Sequence, residues 1–365
     1  FFHGEDPTRP VTAGLNGHIA AIKNGLTDVV DLVGFNYKPH DYRKQHDAHP
    51  DYILYGSETA STVSSRGEYK FPVTEKPGAC YEDYHVSSYD MEYPRWASTP
   101  DTEFEQQDDC DFIFGEFVWT GFDYLGEPTP YNEGTPARSS YFGIVDLAGM
   151  KKDRFYLYQS KWSKTPVLHL LPHWNWEERL GQNVPVFCYT NYPKAELFIN
   201  GKSMGMKEKS KESKYNRYRM MWRDITYQPG EIKVVAYNHE GLPVDTAAIK
   251  TAGETYRLRT TVDRREIKAD GQDLAFVTVE IVDKEGNLCP KADNLLFFEV
   301  EGNAHLKAAC NGDPTSQTSF ASSYMRTFNG KLMLIVEAGD VVGSATLKVY
   351  GGHLLPAVEK IMCID

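Results

Sequence analysis

The sequence predicts a multidomain protein in which a mixed β/α region precedes two all-β regions. Short apolar runs alternate with helical stretches over residues 1–165, whereas the remainder shows the period-two alternation of half-buried strands. A stretch at residues 251–254 is predicted to link two all-β blocks within that remainder. The predicted domains are therefore a first region at residues 1–165, a second region at 166–252 and a third region at 253–365.

Four apolar runs provide the predicted strands of the first region. Runs of this kind, nearly continuous in apolar residues, are typical of parallel strands that are buried on both faces. A helical stretch over residues 18–24 follows the first run. A further helix is predicted to start at Thr99 and Pro100, with Thr99 as its cap and acidic residues in its first turn. Strands alternating with helices predict β/α units. The four runs are residues 9–13, 29–35, 52–56 and 112–119.

Strand and turn signals dominate the second and third regions. Residues 195–202 predict a strand that enters a hairpin turn at Asn200-Gly201, a dipeptide that suits the left-handed backbone of this turn. Residues 231–237 and 277–281 predict two more strands. Each region is therefore predicted to form a small β-sandwich. Further strands of the third region are predicted at residues 295–300, 331–336 and 344–350.

Composition narrows the range of partners. The 365-residue chain carries a formal net charge of −12, whereas a nucleic-acid surface needs clustered Lys and Arg, so we expect no nucleic acid. No stretch approaches the ~18–20 consecutive apolar residues of a membrane helix, so we expect no membrane partner. The six cysteines are scattered, with neither metal-binding spacing nor a dense disulfide framework. Aromatic residues form 13% of the chain, which suits carbohydrate stacking and equally suits core packing.

Glu58 is the candidate catalytic carboxylate, because it closely follows the apolar run at residues 52–56. In β/α barrels the functional groups lie at the carboxyl ends of the strands. Tyr37 follows another run, and its hydroxyl could hydrogen-bond a nearby carboxylate and stabilise the ionised form. A helix-capping or loop role for Glu58 is the alternative that its position alone leaves open.

Four further residues near strand ends are candidates for sugar binding. Trp119 ends the fourth run, where an indole could stack on a pyranose ring or simply belong to the core. Asn36 lies at the end of the second run, and His40 lies shortly beyond it, where an ordinary surface histidine is the alternative. Asp123 follows Trp119 closely. In chain order the strand ends offer Asn-Tyr, Glu and Trp, a combination more specific than any one of them.

These strand ends resemble segments of glycoside hydrolase family 2, and the overall pattern is most similar to its β-galactosidases. Asp-Pro-Thr-Arg-Pro-Val-Thr at residues 6–12 resembles the segment that enters barrel strand five, and Val-Gly-Phe-Asn-Tyr at 33–37 resembles strand six. Gly-Ser-Glu at 56–58 resembles the end of strand seven, and Phe-Val-Trp-Thr-Gly-Phe-Asp-Tyr at 117–124 resembles strand eight and its loop. The resemblance covers essentially the whole chain. It implies the C-terminal half of a (β/α)8 TIM barrel followed by two immunoglobulin-like β-sandwiches.

The resemblance implies retaining hydrolysis of terminal β-D-galactosides by double displacement, with two carboxyl groups about 5–5.5 Å apart. Glu58 matches the position of the nucleophile, and Tyr37 is expected to support it. The chemistry requires no cofactor, although some relatives bind a structural cation. Family analogy also implies a periplasmic or secreted location. The carbohydrate substrate is expected to contact Asn36, His40, Trp119 and Asp123.

The acid/base partner of Glu58 is expected to be missing from the chain. In the family it is the Glu of an Asn-Glu pair that ends strand four, and only residues 1–5 precede the strand-five segment here. Asn132-Glu133 lies in a turn-rich loop and is interpreted as a coincidental match. Glu116, Asp123 and Glu127 could line the pocket, but no pattern assigns them this role. We therefore expect the isolated chain to be inactive or nearly so, and to need the N-terminal half of the same enzyme to close the barrel.

Two other functions stay open on sequence grounds. The chain could be a non-catalytic fragment that serves as a carbohydrate-binding or structural module, or the enzyme could act on β-glucuronides or β-mannosides. Glucuronidases of the family use an Asn-x-Lys motif to pair with the sugar carboxylate, and residues 147–152 contain lysines without that Asn. This difference disfavours glucuronides and leaves β-galactosides as the expected substrates. The oligomeric state is open as well.

Overall fold

The computed structural model describes residues 1–132 and 135–365. The strands of the first region are β1 (Thr12–Leu15), β2 (Leu32–Asn36), β3 (Leu54–Ala60), β4 (Lys76–Pro77), β5 (Glu92–Tyr93) and β6 (Ile113–Trp119). Its helices are α1 (Phe2–Glu5), α2 (His18–Lys23), α3 (Tyr42–Ala48), α4 (Pro100–Asp109) and α5 (Asp153–Trp162), with 3-10 turns at Leu26–Val29 and Pro39–Asp41. Strands β1, β2, β3 and β6 form one parallel sheet in this order, so their carboxyl ends meet at one edge.

The two central strands of this sheet are buried. Val33 and Phe35 of β2 and Leu54 of β3 pack with Ala21 of α2 and Tyr42 of α3 in one apolar cluster. Burial of such side chains stabilises the fold by roughly 1.5–3 kcal/mol each. The helices between the strands therefore cover one face of the sheet, as expected for β/α units.

The outer strand β6 is open to solvent. Phe114 is 75% exposed and Phe117 is 68% exposed, so the prediction that this run is buried on both faces is wrong for the described residues. The physical reason is that β6 pairs with β3 on one side and is the edge of the described sheet on the other. Strand β1 forms the opposite edge.

Helix α4 begins where the sequence predicts, with Pro100 in its first position. The predicted cap differs, because the Thr99 hydroxyl contacts the Thr102 hydroxyl at 3.1 Å and makes no capping hydrogen bond to the backbone. The first-turn acids Asp101 and Glu103 are fully buried. These two carboxyls form tertiary contacts, which a pattern typical of an exposed helix start does not reveal.

The second region contains two antiparallel sheets. Its strands are β7 (Leu168–Leu171), β8 (Val186–Thr190), β9 (Lys194–Ile199), β10 (Lys202–Glu208), β11 (Arg219–Trp222), β12 (Glu231–Tyr237) and β13 (Pro243–Lys250), with helix α6 (Lys214–Tyr218) and a 3-10 turn at Glu177–Arg179. The sheets are ordered β10-β9-β12-β13 and β11-β8-β7, and both contribute to one apolar core. The hairpin predicted at Asn200-Gly201 is confirmed, with φ of +49° and +80° at the two turn residues.

The third region also contains two sheets around one core. Its strands are β14 (Arg257–Val262), β15 (Glu266–Lys268), β16 (Leu274–Val282), β17 (Leu295–Gly302), β18 (Ala304–Cys310), β19 (Tyr324–Arg326), β20 (Lys331–Ala338), β21 (Gly343–Tyr350) and β22 (Ala357–Ile364). The sheets are ordered β14-β16-β20-β18 and β15-β22-β21-β17-β19. Val277, Leu334 and Leu347 belong to the shared core.

Buried charges connect the three regions. Arg219 of β11 forms an ion pair with Asp101 of α4, with Arg219 Nε 2.9 Å from Asp101 Oδ1, and both side chains are fully buried. Arg66 of the first region donates to the carbonyls of Asn311 and Phe328 in the third region, at 2.7 and 3.2 Å. Because a buried charge without a partner is costly, these contacts fix the regions against one another.

The helices of the described residues are short. The longest, α4 and α5, have 10 residues each. Within residues 1–132 and 135–365, no helix is long and apolar enough to cross a membrane.

Candidate active site

A hydrogen bond joins Tyr37 and Glu58. Tyr37 directly follows β2, and Glu58 lies within β3, which continues past the predicted end of this strand. The Tyr37 hydroxyl donates to Glu58 Oε2, and the Tyr37 backbone N–H donates to the Glu58 carbonyl at 2.8 Å. The strand pairing shifts register between Phe35 and Asn36, which places Asn36 opposite Glu58. The structure thus brings together the two residues expected to perform the central chemistry.

Tyr37 is held as a hydrogen-bond donor to Glu58. Burial raises the pKa of the Tyr37 hydroxyl above its ordinary value, and the hydrogen bond to Glu58 acts in the same direction. The phenol therefore stays protonated near neutral pH and remains a hydrogen-bond donor. A donor of this kind stabilises negative charge on Glu58 Oε2. Glu58 Oε1 accepts no hydrogen bond from any described residue, so this oxygen is free for chemistry.

Three residues around Glu58 hold a left-handed backbone. The φ angle is +58° at Tyr37, +59° at Ala60 and +58° at Ser61. This conformation costs residues other than glycine about 1–3 kcal/mol each, and it concentrates at functional sites, where the surrounding structure maintains it. The ends of β2 and β3 are therefore locally strained on both sides of the carboxylate.

Asn36 is buried beside the strand that carries Glu58. Its Oδ1 accepts a hydrogen bond from the Ser57 hydroxyl at 2.6 Å, and its Nδ2 makes no hydrogen bond to the described part of the chain. Gly34 must lack a side chain, because a Cβ there would lie 2.6 Å from Ser57 Cβ and 2.8 Å from the Ala13 carbonyl oxygen. The free Asn36 amide is a donor of the kind that the predicted substrate contact needs.

Trp119 lies on the β6 side of the carboxylate. It ends β6 opposite Ala60 of β3, one strand away from Glu58. Its ring is half-buried and meets the Tyr124 ring edge-on at a centroid distance of 6.1 Å. Part of the indole is therefore available for the predicted stacking, and part packs against the loop after β6.

Trp96 lies against Tyr37, and sequence reasoning missed it. Its ring meets the Tyr37 ring at a centroid distance of 4.7 Å and an interplanar angle of 61°. It belongs to the loop between β5 and α4, where the sequence predicts no strand and shows no periodic pattern. A tryptophan just before the helix start at Pro100 was the only signal available.

The structure places the other two predicted substrate contacts, His40 and Asp123, in different surroundings. His40 is exposed on the 3-10 turn after β2 and makes no hydrogen bond to the described residues. Asp123 is buried, pairs with Lys152 Nζ at 2.5 Å and accepts the Gly143 N–H at 2.8 Å. The prediction that Asp123 contacts substrate is corrected by this placement, because its carboxylate is satisfied inside the fold.

Glu116 lies behind the sheet, away from Glu58. Thr59 donates its hydroxyl to Glu116 at 2.6 Å, and a Cβ at Gly56 would meet both Thr59 Cγ2 and the Tyr42 hydroxyl, so Thr59 points to the face that the helices cover. Burial and the neighbouring Glu103 raise the pKa of Glu116, and burial also raises the pKa of Glu103. Two such carboxyls retain a proton more readily than exposed ones. Glu103 is therefore fully buried and Glu116 half-buried on the helix-covered face, which corrects the idea that Glu116 lines the pocket.

One group of metal-type ligands occurs among the described residues. Donor atoms of Glu68, Asp83 and His85 lie within 4.8 Å of one another. Lys70 already pairs with Asp83, and His85 Nε2 lies 3.0 Å from Asp313 Oδ1 of the third region. Protein groups thus satisfy much of this cluster, which acts as a polar contact between regions. Of the Asn132-Glu133 pair, Glu133 lies outside the described residues.

These observations define a class of protein. It is a multidomain, mostly β protein with a carboxylate-centred site at the carboxyl ends of a parallel sheet. Ligand sites of open α/β sheets lie at this edge. The particular family follows from comparison with known proteins.

Two family models match the chain. Residues 258–358 match glycoside hydrolase family 2 C-terminal domain 5, and residues 181–245 match a domain of unknown function (DUF4982). The β-galactosidase BoGH2A of Bacteroides ovatus is 42% identical over 370 residues, which cover 99% of this chain and 42% of that protein. A β-glucuronidase of Formosa agariphila is 27% identical over 199 residues, which cover 54% of this chain and 18% of that protein. A crystal structure of a β-glycosidase from Bacteroides vulgatus is similar with a TM-score of 0.85 and 30% identity, covering 99% of this chain and 48% of that one.

The chain carries a C-terminal domain of glycoside hydrolase family 2 and is similar over nearly its whole length to a β-galactosidase and a β-glycosidase, which confirms the resemblance predicted from the sequence. It spans less than half the length of each of these relatives.

Proposed function

We propose that this chain supplies the nucleophile of a retaining β-galactosidase. The observation that carries the proposal is the hydrogen bond from Tyr37 to Glu58 at the carboxyl ends of β2 and β3. A carboxylate with one oxygen held by a protonated phenol and the other free is suited to nucleophilic attack. The similarity to a named β-galactosidase over 99% of the chain supports galactose as the sugar.

In the proposed reaction Glu58 Oε1 attacks the anomeric carbon and forms a glycosyl ester. The bond to the leaving oxygen breaks, and a second carboxyl group protonates that oxygen. The same group, now a carboxylate, removes a proton from water, which attacks the anomeric carbon and releases Glu58. Tyr37 holds Oε2 throughout, and the Asn36 amide and the Trp119 ring bind the sugar beside the nucleophile. His40 is a weaker candidate for a sugar contact than Asn36 or Trp119. It is exposed at the rim of the pocket and makes no hydrogen bond to the described residues.

We further propose that a complementary half barrel supplies the second carboxyl group. The open edges of the parallel sheet and the exposed Phe114 and Phe117 support this proposal, because exposed strand edges and apolar faces favour association. The two sheet pairs that follow would then be the immunoglobulin-like accessory domains of the family. On this account the isolated chain holds half of the catalytic machinery and is inactive or nearly so.

The sugar is tested by turnover of matched aryl glycosides. A protein that joins this chain to its complementary half should hydrolyse an aryl β-galactoside much faster than the corresponding β-glucuronide or β-mannoside, and the isolated chain should hydrolyse none of them. Preference for the glucuronide, the activity named for one relative, would replace galactose by glucuronic acid in the proposal. Turnover by the isolated chain at the rate of the joined protein would overturn the proposed division of the catalytic site.

A further inference from the structure

We propose that Trp96 is the stacking platform for the sugar ring on the leaving-group side of the scissile bond. This inference rests on the proposed glycosidase function and deepens it. The ligand class is a pyranose that is β-linked to the hydrolysed sugar.

Trp96 lies on the loop before α4, where its ring contacts both Tyr37 and Phe142. Strand β3, which carries Glu58, has β2 on one side and β6 on the other. Trp96 contacts Tyr37 at the end of β2, whereas Trp119 ends β6 opposite Ala60. A glycosidic bond joins two rings, one on each side of the attacked carbon. Two tryptophans near the carboxylate match these two rings, and Trp96, which is 44% exposed whereas Trp119 is half-buried, matches the outer ring on the leaving-group side.

The position of Trp96 is fixed by its own loop. The Ala97 N–H donates to the Pro94 carbonyl, and the Ser98 N–H donates to the carbonyl of Ala60, both at 2.9 Å. Pro94 and Ser98 are buried, whereas the Trp96 side chain between them is 44% exposed. The indole is thus held in place by an anchored backbone and its contact with Tyr37, rather than by full burial.

The free groups of Trp96 match the chemistry of a sugar. Aromatic faces pack on the apolar C–H faces of pyranose rings, and the indole N–H usually finds a hydrogen-bond partner. The Trp96 Nε1 makes no hydrogen bond to the described residues, so it can donate to a sugar hydroxyl. The Phe142 ring, 6.1 Å away, supports the indole on another side.

The test compares two substrates that share the hydrolysed sugar and differ in the leaving group. With the joined protein, Trp96→Ala should lower kcat/KM for a β-galactosyl disaccharide by about tenfold more than for β-galactosyl fluoride, whose leaving group has no ring. The loss should appear mainly in KM, because stacking on the leaving sugar precedes bond cleavage. Trp96→Phe should recover part of the loss. Trp119→Ala, the control for the hydrolysed sugar, should affect both substrates alike.

Two other results for Trp96→Ala would overturn the inference. Equal losses of kcat/KM for both substrates after Trp96→Ala would mean that Trp96 contacts the hydrolysed sugar or only stabilises the fold. A lowered melting temperature of the variant would indicate the second of these roles. If Trp96→Ala leaves kcat/KM unchanged for both substrates but weakens the association of the two halves, the complementary half covers Trp96. The wild-type protein tests the proposed function separately. If it hydrolyses a different glycosyl fluoride, galactose is wrong, and the same comparison with that sugar still decides the role of Trp96. If it hydrolyses none, both proposals fail.

Discussion

Tyr37 has a backbone conformation that residues other than glycine rarely adopt. Its backbone is left-handed, its ring lies against Trp96, and its hydroxyl ends on Glu58. A hydrogen bond to a charged group contributes about 1.5–3 kcal/mol. At the residue scale, one phenol therefore both orients the carboxylate and donates a hydrogen bond to it.

Replacing this phenol should lower the rate without removing the nucleophile. In the joined protein, Tyr37→Phe should reduce kcat by roughly tenfold to a hundredfold, the kinetic equivalent of losing a hydrogen bond to a charge. Steady-state kinetics on an aryl β-galactoside provide the measurement. Tyr42→Phe is the matched control, because Tyr42 donates to Glu103 at 2.8 Å, another tyrosine–carboxyl pair in the core beneath the sheet. A larger kcat effect at Tyr42 than at Tyr37 would contradict the assigned role.

At the scale of elements, strand β3 separates two carboxyl environments. Glu58 lies on one face, and the next residue, Thr59, reaches Glu116 on the other. Glu116 of strand β6 is half-buried there, and Glu103 of helix α4 is fully buried. Their raised pKa values tie the stability of this part of the fold to pH.

Glu116→Gln should make the fold less sensitive to pH. A carboxyl whose pKa is raised by folding binds its proton more tightly in the folded state, so its contribution to stability is full below the ordinary pKa of about 4.3 and is lost as pH rises through the raised value. The amide cannot ionise. The variant should therefore gain at least about 1 kcal/mol over the wild type between pH 5 and pH 8 in urea unfolding.

The exposed turn residue Glu285 provides the control for this experiment. Glu285→Gln should follow the wild-type stability at both pH values. A difference between Glu116→Gln and wild type that stays constant from pH 5 to pH 8 would contradict the raised pKa.

Many elements could be predicted from the sequence, because their signals are local. The run at 112–119 became β6, the alternation at 231–237 became β12, and Asn200-Gly201 became a hairpin turn. Tyr37 and Glu58 were also expected to be neighbours, because each lies near the end of a parallel strand. Period and turn chemistry are sufficient for predictions of this kind.

The rest of the site depends on contacts between distant parts of the chain. Asp123 was assigned to substrate, yet Lys152 and the Gly143 N–H hold it in the core. Trp96 comes from a loop that reaches Tyr37 across 59 residues of sequence, a separation given by 96 − 37. No local pattern reports such contacts, nor the register shift that places Asn36 opposite Glu58.

At the scale of the whole molecule, two buried arginines hold the first region against the others, Arg219 through an ion pair and Arg66 through hydrogen bonds to backbone carbonyls. Arg219→Met should destabilise the fold by about 3–5 kcal/mol, because it leaves Asp101 buried without its partner. Urea unfolding provides the measurement. Arg217→Ala is the matched control: it removes a nearby arginine whose partner Asp109 is half exposed, and it should cost about 1 kcal/mol or less. Equal effects at the two positions would show that Arg219 does not fix the regions in the manner described.

The central claim is that Glu58 is the nucleophile, and trapping the covalent intermediate tests it most directly. The joined protein is treated with an activated 2-deoxy-2-fluoro-β-galactoside, digested and mapped by mass spectrometry. The account predicts one sugar per protein on the peptide that contains Glu58, and no label in Glu58→Gln. A label on any other carboxylate, including Glu116 or Glu127, would contradict it.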